Sequence, residues 1–249
     1  MNDTALIVNT ISKNSDVWDI FFKQINKHIS PNFFSKKYVF VDEDMGLIPK
    51  DFKVLKYDKN KLYRSQFLSC VEQVKEKFCI YISEDYILYS NIDEQKINSF
   101  SNLLLKDENI SFIRFMRGGV YDQDYKQYSK NLFYVHEDKD YFYTNQAALW
   151  KTDVLKKIHL EGPELHIANQ DWQNSFEYQA TKTCRELKIS GLFCYYGENK
   201  RGLYHYDSIV FPHISTALVK GKWNMTEYPR EMAELIKIYN INILKRGWV

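Results

Sequence analysis

Two adjacent carboxylates, Glu84 and Asp85, follow an apolar run within Phe78 to Ser90 (FCIYISEDYILYS). Cys79 to Ile82 has the continuous apolar character of a strand buried on both faces, as in a parallel sheet. Acids at the carboxyl end of such a strand lie where open α/β sheets bind ligands. Like charges side by side repel and favour a cation between them, and a divalent metal carrying a diphosphate suits that place. The plainer alternative is a solvated Ser83-Glu84-Asp85 turn. A second acid pair is Asp171 with Glu177. A carboxylate can take the proton from an attacking hydroxyl, and Asp171 can equally be the N-cap of a helix beginning there. Six residues apart on an ideal helix, the two would not share a face. Lys220-Gly221-Lys222 and His213 are the cations and imidazole best suited to a leaving diphosphate. A solvated lysine pair is the alternative. For His205, beside Asp207, a structural contact is expected.

The surrounding pattern must position these groups. Thr4–Thr10 is a strand, and a helix runs from an Asp16 N-cap to about Ile29. Tyr38–Val41 and Phe52–Tyr57 are short strands, and Leu62–Lys77 is a helix. After the motif strand come a helix over Asp93–Leu105 and a strand over Ile110–Met116. Such alternation predicts an α/β fold with a mostly parallel, doubly wound sheet and its strand ends on one edge. Beyond Arg117 the rhythm changes. Tyr121–Lys139 reads as loop or hairpin, Tyr141–Trp150 as strand, Thr152–Ile158 and Asp171–Leu187 as helices, Leu192–Tyr196 as strand and Glu227–Tyr239 as the last helix. No linker divides the chain, so residues 1–249 read as one domain with halves 1–117 and 118–249.

Composition bounds the function. The 249 residues are 45% hydrophobic and 27% charged, with a net charge of +2, so no strong field draws the chain onto nucleic acid. The high content of Tyr (19) and Phe (16) suits stacking on bases and sugars, although compositional bias accounts for most of it. Cys70, Cys79, Cys184 and Cys194 lack CxxC spacing and read as reduced and mostly buried. There is no signal peptide and no apolar run of membrane-spanning length, so a cytoplasmic location is expected. The end ILKRGWV leaves room for peripheral membrane contact. GxGxxG, GxxxxGK[ST], HExxH and GxSxG are all absent, which disfavours dinucleotide, P-loop, zincin and serine-hydrolase chemistry.

The Ser83-Glu84-Asp85-Tyr86 turn resembles the metal–diphosphate motif of GT-A glycosyltransferases, usually Asp-x-Asp. Asn145-Gln146-Ala147-Ala148-Leu149-Trp150, the Gln170-Asp171-Trp172-Gln173-Asn174 stretch to Glu177, and Val219-Lys220-Gly221-Lys222-Trp223 resemble one bacterial and viral branch of that group. The resemblance implies a GT-A-like fold, with a nucleotide-sugar donor over the ends of the first and fourth strands. It implies a glycan or lipid-linked acceptor held by the C-terminal half. Mapped onto this chain, Thr10 and Ile11 lie beside the nucleobase. Arg64 grips base, ribose or phosphate, or is a plain surface residue. Glu84 and Asp85 face the diphosphate, with Lys220 and Lys222 near it. Trp150 and Trp172 would pack on sugar faces, or else lie in the core. Asp171 is the expected base of an inverting transfer, with Glu177 second. Tyr86 stands where the second aspartate is usual. Since neighbours on an extended strand face opposite ways, Asp85 alone is expected to meet a divalent metal (Mn or Mg). A metal-free mechanism using basic residues stays open. The rivals are a catalytically inactive sugar-binding or assembly protein and a sugar nucleotidyltransferase, whose glycine-rich N-terminal loop is missing.

Overall fold

The computed structural model describes residues 3–119, 125–164 and 175–249. The first half alternates as expected: β1 (Thr4–Asn9), α1 (Ser15–His28), β2 (Lys36–Val41), β3 (Lys53–Lys56), α2 (Tyr63–Val71) and β4 (Phe78–Ser83). A two-residue strand, β5 (Ile87–Leu88), precedes α3 (Glu94–Lys106) and β6 (Ile110–Arg114). Asp93 caps α3 by accepting from the Lys96 amide at 3.0 Å. A hairpin of β7 (Gln127–Ser129) and β8 (Leu132–Tyr134) follows, then β9 (Ala148–Lys151), α4 (Thr152–Glu161), α5 (Phe176–Glu186) and β10 (Ser190–Cys194). The chain continues with β11 (His213–Ile214), β12 (Leu218–Val219), β13 (Lys222–Trp223) and α6 (Pro229–Tyr239).

Nine strands form one mixed, mostly parallel sheet in the order β3-β2-β1-β4-β9-β6-β10-β8-β7. The period-2 side-chain alternation sends Leu6, Val8, Ile80 and Ile82 to one face, beneath Trp18 and Phe21 of α1 and Phe100 of α3. Ala5, Ile7, Cys79 and Tyr81 go to the other, beneath Phe67, Leu155 and Cys184 of α2, α4 and α5. β4 is therefore covered on both sides, which is why its sequence is apolar without interruption. A third cluster joins Val17 and Ile20 of α1 to Ile214, Trp223 and Met232, holding α6 against the sheet through β5 and β11. All four cysteines are free and buried. Among the described residues, no helix is long and apolar enough to cross a membrane.

β9 runs antiparallel to both neighbours, with Ala148 opposite Tyr81 of β4 and Arg114 of β6. The residues entering β9 thus stand at the edge where β4 and β6 end. Gln146 and Arg114 thereby line one cavity.

Several local expectations are corrected. α2 stops at Val71 rather than Lys77, because its bonding tightens to three-residue turns: the Gln73 and Val74 amides donate to the Cys70 and Val71 carbonyls. The segment expected as a strand over Tyr141–Trp150 is extended and paired only from Ala148. The Arg114 side chain takes the Tyr141 and Phe142 carbonyls instead. The helix expected from Asp171 has its described N-terminus at Ser175, whose hydroxyl accepts from the Tyr178 amide. Asp16 lies inside the first turn of α1 and is not its cap. Its carboxylate accepts from Arg246 at 2.7 Å.

Candidate active site

Glu84 and Asp85 occupy a tight turn after β4, closed by the Tyr86 amide donating to the Ser83 carbonyl at 3.1 Å. Glu84 points inward, 6% exposed, and its Oε1 accepts from Asn14 Nδ2 at 2.6 Å. Asp85 is half-buried, and no other described residue donates a side-chain hydrogen bond to its carboxylate. Burial holds the Glu84 carboxyl above its ordinary value, against the Asn14 hydrogen bond. Asp85 is pushed well up, first by burial and then by the negative charge of Glu84. A cation at Asp85 would relieve that repulsion. Among the described residues, no group of three or more His, Cys, Asp or Glu side chains is placed to hold a metal ion. A divalent ion arriving on a diphosphate, however, needs only one or two carboxylates and keeps several waters. The turn fits that requirement.

The end of β1 adjoins these acids. Thr10 Oγ1 accepts from Trp18 Nε1 and its carbonyl accepts from the Tyr57 hydroxyl, both at 2.8 Å. Ile11, the next residue, is 40% exposed.

A cavity of about 760 Å³ opens beyond the ends of β6 and β9, lined by Arg114, Thr144, Gln146, Glu177, His205 and Glu227 among others. Glu177 reaches it from the first turn of α5, and its Oε1 accepts the Asn145 backbone N–H at 2.7 Å. Burial raises the Glu177 pKa, opposed by that amide and then by the Arg114 charge. Arg114, at the end of β6, is 6% exposed. Its Nη2 donates to the Phe142 and Tyr141 carbonyls at 2.8 and 3.1 Å, and burial lowers its pKa to about 10. Thr144 Oγ1, Asn145 Oδ1 and Gln146 Oε1 are buried without a partner. Unpaired buried polar atoms are costly unless a ligand or water satisfies them. The acid turn is tied to the cavity wall through its backbone: the Asp85 carbonyl accepts from the Ala217 amide at 2.9 Å, next to Thr216 of the cavity lining.

The fold resembles that of solved structures. The crystal structure of S. aureus TarS residues 1–349 superposes with a TM-score of 0.52 at 15% identity, over 99% of this chain and 66% of that one. A second crystal structure of S. aureus TarS gives 0.50 at 15% identity, over 99% and 40%. The chain thus spans just under two thirds of the shorter TarS structure. The likeness is one of fold. No family model matches the sequence, and no curated protein matches it.

The remaining expected site residues lie as follows. Arg64 reaches across to the end of α4 and the residues after it, where Nε donates to Glu164 Oε2 at 2.5 Å and Nη1 to the Leu160 and Gly162 carbonyls at 2.7 and 2.9 Å. Trp150 is 2% exposed and stacks on Phe112 at 4.3 Å, inside the core. Lys220 and Gly221 form the two-residue turn between β12 and β13, with φ of 50° and 78°, the left-handed values such a hairpin needs. Lys220 and Lys222 are exposed. His213 is buried, with Nδ1 donating to the Phe211 carbonyl at 2.6 Å. Asp171 and Trp172 lie outside the described residues. Sequence reasoning missed Asn14, Arg114 and Glu227. The Asn145-Gln146 segment, Glu177 and His205 had marked this neighbourhood.

Proposed function

We propose that the chain is a glycosyltransferase moving a sugar from a nucleoside-diphosphate donor to a hydroxyl of a glycan or lipid-linked oligosaccharide. One observation carries the reading. An acid turn at the carboxyl end of a central strand is bonded through the Asp85 carbonyl to Ala217, next to Thr216 in the wall of a cavity where Glu177 stands near buried, unpaired polar atoms. The donor's base lies by Thr10 and Ile11, and its diphosphate by Asp85. Asp85 is the residue that would hold a divalent ion, which when bound would supply positive charge to the diphosphate. Lys220 and Lys222, on their exposed turn, are the basic groups assigned to the same charge.

The acceptor hydroxyl attacks the anomeric carbon as the bond to the diphosphate oxygen breaks, with inversion. The hydroxyl proton passes to a carboxylate. Of the carboxylates in the cavity wall, Asp140, Glu177 and Glu227, Glu177 is the one assigned the proton, made more basic by burial. Asp171, the base expected from the sequence, is tested beside it.

Thermal-shift measurements against UDP-, GDP-, CMP- and dTDP-sugars, with and without manganese, test the reading. One nucleotide should raise the melting temperature, by an amount equivalent to about 2.7 kcal/mol at a hundredfold excess over Kd. Asp85→Ala should remove the shift or its metal dependence. Silence with every donor overturns the proposal in favour of a protein without donor binding.

A further inference from the structure

We propose that His205 and Glu227 form a subsite for a sugar hydroxyl on the wall of the cavity that also holds Glu177. His205 is 3% exposed, and its Nε2 is buried without a hydrogen-bond partner. It stands 3.9 Å from Glu227 Oε2, too far for a direct bond. A hydroxyl oxygen seated about 2.8 Å from both would accept from the imidazole N–H and donate to the carboxylate. Such a group closes the gap and satisfies the orphaned nitrogen.

Both side chains are held in place. The His205 backbone bridges to Gly118, and its ring lies parallel to that of Tyr228, 5.8 Å away. Glu227 Oε2 accepts from Asn224 Nδ2 at 3.3 Å, and Asn224 Nδ2 also donates to the Thr216 carbonyl at 3.1 Å. Gly202 leaves room for the carboxylate, since a Cβ there would lie 2.2 Å from Glu227 Oε1. The neighbouring acids are engaged elsewhere. Asp207 holds Arg201 Nε at 2.6 Å, and Glu231 holds its Nη2. Glu227 instead faces the cavity with His205 and Asn224. An acceptor N–H or cation would need only the carboxylate, whereas a hydroxyl uses both groups. The ligand inferred is therefore one that carries a hydroxyl, either the acceptor or the sugar of the donor. Only its identity rests on the glycosyl-transfer reading.

The His205 ring signals of the full chain, followed by long-range proton–nitrogen correlation, test the proposal. One set of titrations uses the methyl glycosides of glucose, galactose and N-acetylglucosamine, with glycerol. The other uses the four nucleotide sugars. At least one probe should move the ring signals. Movement with free glycosides assigns the subsite to the acceptor, and movement with nucleotide sugars alone assigns it to the donor sugar. Glu227→Gln, nearly isosteric, should weaken that binding roughly tenfold or more, as expected for a hydrogen bond to a charged group. Gly202→Ala should weaken it through the displaced carboxylate. No movement with any probe, or unchanged binding in both variants, overturns the subsite. Movement with a free glycoside when no nucleotide sugar stabilises the protein sustains the subsite and removes the transfer reading.

Discussion

The Asn145 backbone N–H donates to Glu177 Oε1 at 2.7 Å, joining the entry to β9 to the first turn of α5 across 32 residues of sequence. The bond fixes one carboxylate oxygen and leaves the rest of the group to the cavity. Glu177→Gln should keep donor binding while lowering kcat by about 10²- to 10⁴-fold, the range for a lost general base. Turnover and donor-induced thermal shift are measured on the same preparations, beside Asp171→Asn. Loss confined to Asp171→Asn would remove Glu177 from the role.

Asp85 illustrates a site held at the expense of stability. Burial and the Glu84 charge raise its folded pKa well above 3.8. A carboxyl raised on folding opposes the folded state as pH climbs past its unfolded value. Asp85→Asn should therefore raise the melting temperature at pH 7, by about 2–4 °C for each kcal/mol recovered. The gain should fade below about pH 4, and metal-dependent donor binding should disappear. A lower melting temperature at pH 7 would contradict this account.

Two buried histidines predict acid sensitivity. His159 is stacked between Phe67 and Phe176 at 4.0 and 4.7 Å, and burial lowers its pKa from 6.5 to about 4. His213 is lowered to about 4 by the same cause. Between those values the unfolded chain binds more protons than the folded one, so stability rises with pH there. It is fully present above about pH 7 and is lost as pH falls from 6.5 towards 4. His159→Phe, which keeps the stack, should narrow the difference in melting temperature between pH 7 and pH 5. An unchanged difference would place the acid sensitivity elsewhere.

Gly191 tests the packing beneath the cavity. A Cβ there would meet Phe112 Cε1 at 2.1 Å, and Phe112 is wedged against Trp150. Gly191→Ala should destabilise by about 1–3 kcal/mol. Adding Phe112→Leu should cost less than the two single changes summed. Additive losses in denaturant unfolding would show that the two positions do not compete for space.

The alternating apolar runs of the first half were legible because each is a local pattern: a buried strand is apolar throughout, and an amphipathic helix repeats every 3.6 residues. The Glu84-Asp85 turn was legible for the same reason, as charge that interrupts such a run. The cavity wall was not. Arg114 reads as the charged end of a strand, and nothing in its sequence context says that it holds two carbonyls 27 and 28 residues away. Two-residue strands such as β5 and β11 carry too little pattern to be seen.

By itself the sequence determined the α/β class, the acid turn at the end of β4, the buried thiols and a net charge close to neutral. All follow from composition and short-range periodicity. Tertiary structure decided which groups meet. The antiparallel insertion of β9 brought Asn145 and Gln146 to the edge that carries Glu84, Asp85 and Arg114. Packing turned Glu84 inward to Asn14 and left Asp85 half-buried beside it. It also set His205 against Glu227 across a gap of 3.9 Å. Such meetings depend on strand order and side-chain packing, which join residues far apart in the chain and leave no periodic trace along it.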